Sequence, residues 1–369
     1  MKILHIVQFL GVGGLERVLY LLMREQMKAG HHVEMVVYDY EQAWVESFRS
    51  AGIKINTDYK KQEGYDYKLL NFLGKLVTPF DVVHTHDLNP SMYTAPLKLI
   101  AKLKGKTFPK LIHTTHGMDH LHVRPITKVY EKLCSSMLDG LIAVSPAICS
   151  YYRQELLVPF EKVYHIDNGT FVPETHSEEK AFFKKKLVEK FGIDEKLKTW
   201  VAVARIVPLK NQLLLIEAAK RRKDINLLIV GPEGDKTYGN KLLESKPLNV
   251  YFTGSQSNID EILIGSDFFV SASLHEGIPI SVLEAGAQSM PCLLSDIAGH
   301  LALQTKTPKR VAAYFQSNNL EDLLTKMRKL ESDSDFAEKL AKNLNHCVRQ
   351  NYSSEAMCKK YLAAYIGQR

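Results

Sequence analysis

Short apolar runs alternate along the chain with stretches of helical period. Runs at residues 3–9, 33–38, 81–84, 111–115 and 141–145 are rich in branched side chains and closed by turn signals, so they read as strands. Between them, residues 15–29 and 44–51 space their apolar side chains as amphipathic helices do. After a charged, helix-forming stretch at 177–198 the pattern restarts. Strands over 199–204, 225–230, 250–253, 268–272 and 292–295 alternate with helices over 212–221, 259–264 and 280–288. Helices over 320–330, 336–350 and 354–366 follow. Strands this apolar suit sheets covered on both faces, and strand–helix alternation argues for parallel βαβ units. The expected architecture is α/β: two similar, Rossmann-like, doubly wound halves joined near residue 170 and facing each other across a ligand cleft at the carboxyl ends of their strands. No repeat of solenoid period is present.

Length and composition narrow the function classes. The 369 residues suit about two domains. A hydrophobic share of 45% with 24% charged residues excludes a disordered chain or a collagen-like repeat. The five cysteines form no C-x-x-C pair and leave an odd one, which reads as small buried apolar residues in a reducing compartment. Residues 2–10 resemble a short signal segment, but His5 and Gln8 interrupt them and no small-residue cleavage site follows. A buried first strand and a cytoplasmic protein are the expectation. A net charge of +7 permits a phosphate-bearing ligand or anionic lipid. Without a zinc-finger spacing, an RNP pattern or a long basic tract, nucleic acid is not expected as a partner.

Three places concentrate chemistry. Gly11, Gly13 and Gly14 follow the first strand and precede a helix, where missing side chains and free N–H groups let a phosphate or sugar approach. A dinucleotide fingerprint needs a third glycine at position 16, and Glu16 stands there. Arg205 and Lys210 flank a strand-to-helix turn and form a candidate clamp for a diphosphate, able to neutralise a departing nucleoside diphosphate. The densest segment is 273–285, SLHEGIPISVLEA. A strand there runs into a Gly/Pro loop that opens a helix near Ile280. Glu276 falls in the loop and Glu284 in the helix, so the two can line one pocket at the helix start. The N–H groups of Ile280 and Ser281 suit a phosphate, Glu284 suits ribose hydroxyls, and Glu276 suits sugar hydroxyls beside a reacting carbon.

Glu276 and Glu284, with seven residues between them, make this chain resemble the retaining glycosyltransferases of the GT-B fold, family GT4 (glycosyl transferases group 1). Arg205 and Lys210 match the family's R-x4-K clamp, Gly13-Gly14-Leu15-Glu16 its glycine start, and Asn168-Gly169 its turn between domains. The resemblance implies an acceptor-side domain over 1–168, a nucleotide-sugar domain over 169–350 and a helix over 351–369 returning to the first domain. It implies a metal-independent enzyme without cofactor that moves a sugar from a nucleotide diphosphate donor, UDP by preference, to a glycan or lipid-linked acceptor. Bacterial cell-surface polysaccharide synthesis is the implied setting. Arg205 and Lys210 hold the diphosphate in this reading, Glu284 the ribose, Glu276 the transferred sugar and Gly14 the phosphates or sugar. His116, in Thr114-Thr115-His116-Gly117, takes the family's sugar-facing histidine. One departure is Ala298-Gly299-His300, where the family carries Gly-Gly followed by an acid.

Other features have rival readings. His113, His116, His120 and His122 cluster in sequence, with His84 and His86 as further candidates, but their spacings match neither H-E-x-x-H nor a zinc finger, so no metal site is expected. Asp333-Ser334-Asp335 is a literal D-x-D, read more simply as a helix cap. Residues 97–110 interleave five lysines with leucines and isoleucine and suit either an ordinary helix surface or an anionic membrane, the inner face by the resemblance. The alternatives in function are a non-catalytic nucleotide-sugar-binding subunit, an NAD-dependent oxidoreductase and a nucleotide-sugar epimerase.

Overall fold

The alternating pattern folds into two separate parallel sheets. The computed structural model describes residues 1–11, 14–39, 44–117, 125–173 and 179–368. One unit comprises Met1–Gly169 with Ser354–Arg369, and the other Thr170–Ser353. The first unit runs β1 (Lys2–Val7), α1 (Gly14–Lys28), β2 (His32–Val37), α2 (Trp44–Ser50), β3 (Lys54–Asn56), α3 (Tyr67–Leu76), β4 (Val82–His86), α4 (Leu88–Leu103), β5 (Lys110–Thr115), α5 (Pro125–Met137), β6 (Gly140–Ala143), α6 (Pro146–Ser150) and β7 (Val163–His165). The second runs α7 (Lys180–Phe191), β8 (Lys198–Val203), α8 (Gln212–Arg221), β9 (Ile225–Val230), α9 (Lys236–Ser245), β10 (Val250–Gly254), α10 (Ile259–Gly265), β11 (Phe268–Ser271), α11 (Ile280–Ala287), β12 (Cys292–Ser295), α12 (Ala298–Leu301), β13 (Ala313–Phe315), α13 (Leu320–Ser332) and α14 (Ser334–Asn351). The last helix, α15 (Ser354–Ile366), returns to the first unit and packs on α1.

The strand orders are β3-β2-β1-β4-β5-β6-β7 and β10-β9-β8-β11-β12-β13, all pairings parallel. Each order reverses once, between β1 and β4 and between β8 and β11. In open α/β sheets such a reversal leaves a crevice beyond the carboxyl ends of the two strands, where ligands bind. The second sheet shows why its strands are apolar throughout. Leu227 and Ile229 of β9 join Trp200 and Val270 in a core on one face, while Leu228 and Val230 join Val201 and Phe269 on the other.

The first sheet departs from that rule at its centre. Leu4, Ile6, Val83 and Leu111 share one apolar core, whereas the alternating positions His5, His84 and His86 are buried with almost no exposure. Strand β4 continues two residues past the expected end at His84, paired with β5 through Thr85 and His86, which are buried but polar and so carry no apolar signal. The short strands β3 and β13 and the helices α3, α5 and α9 carry no expectation from the pattern. The D-x-D caps α14, with Asp333 accepting from the Phe336 N–H at 3.0 Å. Residues 97–110 cover the end of α4, a turn and the first residue of β5. All five cysteines are buried thiols, and no helix among the described residues is long and apolar enough to cross a membrane.

Burial pushes the His5 imidazole from its ordinary 6.5 down to about 4, only partly offset by its hydrogen bond to Gln26. Burial also pushes His84 and His86 well below their usual value, assisted by neighbouring histidines. These rings stay neutral in the folded chain at pH values where the unfolded chain protonates them. Their stabilisation is full above about pH 6.5 and is lost as pH falls towards 4. Calorimetry should show Tm falling through this window, with a shallower fall in His5→Gln; equal slopes would contradict the assignment.

Candidate functional site

The reversal of strand order in the second sheet brings together the loops after β8 and β11. The first loop turns tightly, with the Gln212 amide donating to the Arg205 carbonyl at 3.0 Å. The Leu274 N–H donates to the Leu209 carbonyl at 2.9 Å and joins the second loop to it. Across this junction the half-buried Lys210 ammonium pairs with the half-buried Glu276 carboxylate. The Ser273 hydroxyl donates to the same Glu276 Oε1 at 2.7 Å. Arg205 is exposed, and its guanidinium has no ion pair among the described residues.

The loop after β12 supports this pair from below. Ser295 Oγ donates to the Ser273 carbonyl at 2.6 Å, and His300 Nδ1–H donates to the Ser295 carbonyl at 2.8 Å. Gly299 lies under the Glu276-Gly277 peptide: a Cβ there would fall 2.1 Å from the Gly277 oxygen and 2.3 Å from the Glu276 oxygen. Ser273, Ser295 and Gly299 thus support the candidate site, a role that motif reading did not give them, although a glycine after a strand is the usual sign of close backbone approach. His300, where the resemblance expects an acid nearby, is fully buried, and its Nε2 has no hydrogen-bond partner among the described residues. Burial holds its pKa down, against the pull of the Ser295 carbonyl and Glu276. In its neutral form the proton is on Nδ1, which leaves Nε2 an acceptor.

Helix α11 starts at Ile280. The N–H groups of Ile280 and Ser281 lie in its first turn, where intrahelical partners are lacking, and both residues are half-buried. Glu284 sits one turn further on and is only 4% exposed, an interior carboxylate rather than a rim residue. The structure thus joins Lys210 with Glu276 directly, sets Arg205 on the same loop as Lys210, and places Glu284 inside the helix that the Glu276 loop opens.

In the first unit Gly13 lies outside the described residues and Gly14 is the exposed first residue of α1. The Gly11 N–H donates to Glu16 Oε1 at 2.8 Å, and Glu16 is buried. A carboxylate therefore occupies the turn where a dinucleotide site needs glycine and an approaching pyrophosphate, which argues against the oxidoreductase alternative.

His116 follows β5 directly and is half-buried. Its backbone N–H donates to Asp87 Oδ1 at 3.1 Å. Asp87 has φ 61° and ψ 172°, a region nearly reserved for glycine, and strain of this kind concentrates at functional positions. Burial lowers the His116 pKa, and Asp87 partly opposes this. The His116 ring lies 3.0 Å from His86. His113 instead bonds the hydroxyls of Thr85 and Thr115, while His120 and His122 lie outside the described residues. The buried histidine cluster is made by His5, His84 and His86, whose nitrogens approach within 4.8 Å of one another. His5, on a separate strand, was legible only as a polar interruption of an apolar run.

Family models match both units: Glycosyltransferase Family 4 over residues 12–170 and Glycosyl transferases group 1 over residues 183–346. The chain is 30% identical over 261 residues to the Escherichia coli UDP-Gal:alpha-D-GlcNAc-diphosphoundecaprenol alpha-1,3-galactosyltransferase, covering 64% of either chain. It is 30% identical over 190 residues to the Campylobacter jejuni N,N'-diacetylbacillosaminyl-diphospho-undecaprenol alpha-1,3-N-acetylgalactosaminyltransferase, covering 51% of this chain and 48% of that one. The matches thus span about half to two thirds of the length of these curated relatives. Anabaena HepE, solved with UDP and glucose, shares the fold at a TM-score of 0.83 over 98% of both chains with 17% identity. WaaG, a glycosyltransferase involved in lipopolysaccharide biosynthesis, does so at 0.70 over 99% of both with 14% identity. With both sheets parallel, both units matched and the Lys210–Glu276 pair set at the strand-order reversal, this chain belongs to the group 1, family 4 glycosyltransferases and has their GT-B fold.

Proposed function

We propose that this chain transfers a sugar from a UDP-sugar to a hydroxyl of a lipid-linked or glycan acceptor in bacterial surface polysaccharide synthesis, with retention of anomeric configuration and without a metal. The observation that carries the reading is the Lys210–Glu276 ion pair at the carboxyl ends of β8 and β11. The pair keeps a cation and a carboxylate ready at one point while each shields the other. A diphosphate drawing Lys210 away frees Glu276 for the sugar hydroxyls. Arg205 and Lys210 then neutralise the charge that grows on the leaving diphosphate, the part a metal plays elsewhere. The free N–H groups at Ile280 and Ser281 face the phosphates and Glu284 holds the ribose; in the first unit, Gly14 and His116 are the residues assigned to the sugar by the family resemblance. The E. coli relative's name carries a UDP-galactose donor and a diphosphoundecaprenol acceptor, and HepE was solved with UDP, which supports this donor and acceptor class.

With Glu276 engaged by the sugar hydroxyls, same-face attack by the acceptor hydroxyl, with the leaving phosphate taking its proton, needs no carboxylate nucleophile. Water is excluded once donor and acceptor fill the site.

A membrane surface is the further partner in this reading. The end of α4 exposes Leu99, Ile100 and Leu103, and the adjoining α5 exposes Ile126, Val129, Tyr130 and Leu133 at spacings of three and four residues. Lys102, Lys104, Lys106 and Lys132 are exposed beside them. Exposed apolar side chains with exposed lysines near them in the chain suit the inner face of an anionic bilayer, where a lipid-linked acceptor resides.

Three outcomes test the proposal. UDP at about 100 times its Kd should stabilise the protein by about 2.7 kcal/mol in thermal unfolding, while GDP, ADP and NAD should not; a shift with NAD alone would contradict the reading. Glu276→Ala should lower kcat by at least about tenfold with UDP affinity changed far less, and Lys210→Ala should weaken UDP itself. Wild-type turnover in Glu276→Ala would remove its assigned role. Sedimentation with vesicles containing anionic lipid should be lost in a Leu103→Ser, Leu133→Ser double variant, and binding equal to wild type would exclude this surface.

A further inference from the structure

The histidines of the first sheet form an ordered line of hydrogen bonds rather than a loose cluster. His116 Nε2 lies 3.0 Å from His86 Nδ1, and His86 Nε2 lies 2.9 Å from His5 Nδ1. His5 Nε2 lies 2.9 Å from the carbonyl oxygen of the Gln26 side chain. Beyond Gln26 the line continues: its amide nitrogen donates to Tyr365 at 3.0 Å, Tyr365 lies 2.6 Å from His84 Nδ1, and His84 Nε2 lies 2.7 Å from the Thr114 hydroxyl. Strands β1, β4 and β5, helix α1 and the returning helix α15 each supply a member.

The Gln26 amide gives this line a direction. Its oxygen can only accept, so His5 carries its proton on Nε2. A neutral imidazole has one N–H, so His5 Nδ1 accepts, and His86 must donate to it from Nε2. By the same step His86 Nδ1 accepts and His116 must donate from its own Nε2. On the far side the Gln26 amide nitrogen can only donate, so the Tyr365 hydroxyl passes its own hydrogen to His84, whose Nε2–H then serves Thr114. Six hydrogen bonds therefore point the same way, and aligned bonds of this kind reinforce one another in a low-dielectric interior. The depressed pKa values of His5, His84, His86 and His116 keep the rings neutral, as the line requires. Only His116 is half-buried among the four rings, and its Nδ1 has no hydrogen-bond partner among the described residues.

We infer that Gln26 is a positioning residue: acting through His5 and His86, it locks His116 as the Nε2–H tautomer, so that the free Nδ1 presents a lone pair to a hydroxyl of the bound sugar. The inference rests on the transferase reading for its ligand but not for its tautomer. The same trio of nitrogens would also fit a metal ion by proximity, yet both nitrogens of His5, His84 and His86 are already engaged in the line. A metal would have to break it.

The test uses the full chain labelled with 15N in its histidines and long-range proton–nitrogen correlation, the His116 signals being assigned by their loss in His116→Asn. Wild type should show His116 protonated on Nε2 only. Gln26→Met, which keeps the volume and removes both hydrogen bonds, should give a mixture of tautomers and lower kcat for sugar transfer roughly tenfold, with the donor KM changed much less. Tyr365→Phe, which frees the Gln26 amide to turn over, should also mix the tautomers and guards against misfolding of the first variant. A merely structural role for Gln26 would lower Tm and leave the His116 tautomer unchanged, which would overturn the inference. So would a proton on His116 Nδ1 in wild type, or stoichiometric zinc in the purified protein with loss of the His5 and His86 N–H signals. The expected tautomers in a protein that transfers no sugar from any nucleotide donor would contradict the transferase reading alone.

Discussion

The contact between Lys210 and Glu276 is the constraint on which the proposed donor site depends. Neither residue is held by its own loop alone. Lys210 is placed by a turn tied to Gln212, and Glu276 by Ser273 and by the close seat of its peptide on Gly299. Those supports come from loops after three strands, β8, β11 and β12, which adjoin only because the strand order reverses beside β8. A parallel sheet buried on both faces thus does more than provide a rigid floor. It fixes which loops are neighbours, and so which cation meets which carboxylate.

The first unit solves a different problem. Its central strands bury histidines and threonines where a parallel sheet normally buries branched aliphatics. Each polar ring left unpaired there would cost on the order of 1–3 kcal/mol, so the interior is consistent only as a connected network. The returning helix α15 contributes Tyr365 to that network. Its attachment to the first unit is therefore more than apolar packing: it completes the hydrogen bonding that leads to His116.

Much of this was legible in the sequence where burial is apolar and bounded by turns. The helix over 212–221, the strands over 225–230 and 292–295 and the final helix 354–366 stand where the pattern puts them. The reading stops short at β4 because hydrophobic patterning places Thr85 and His86 past the end of the strand, whereas they are its buried continuation. Strand β3 is three residues at a sheet edge with no apolar run to announce it. Motif spacing located Arg205, Lys210, Glu276 and Glu284, but it could not show that Lys210 and Glu276 touch, because that contact depends on strand order. The line that leads through His86 to His116 was hidden for the same reason: its members His5, Gln26 and Tyr365 are scattered along the chain and meet only in the folded unit.

The central claim is that the Lys210–Glu276 site carries retaining sugar transfer, and the stereochemistry of the product tests it most directly. The purified protein would be incubated with an α-configured UDP-hexose and a polyprenyl-diphosphate-linked sugar, and the new linkage assigned by proton NMR. The account predicts an α-linked product that forms in the presence of a chelator and is lost in Glu276→Ala. A β-linked product, or transfer undiminished in that variant, would contradict it.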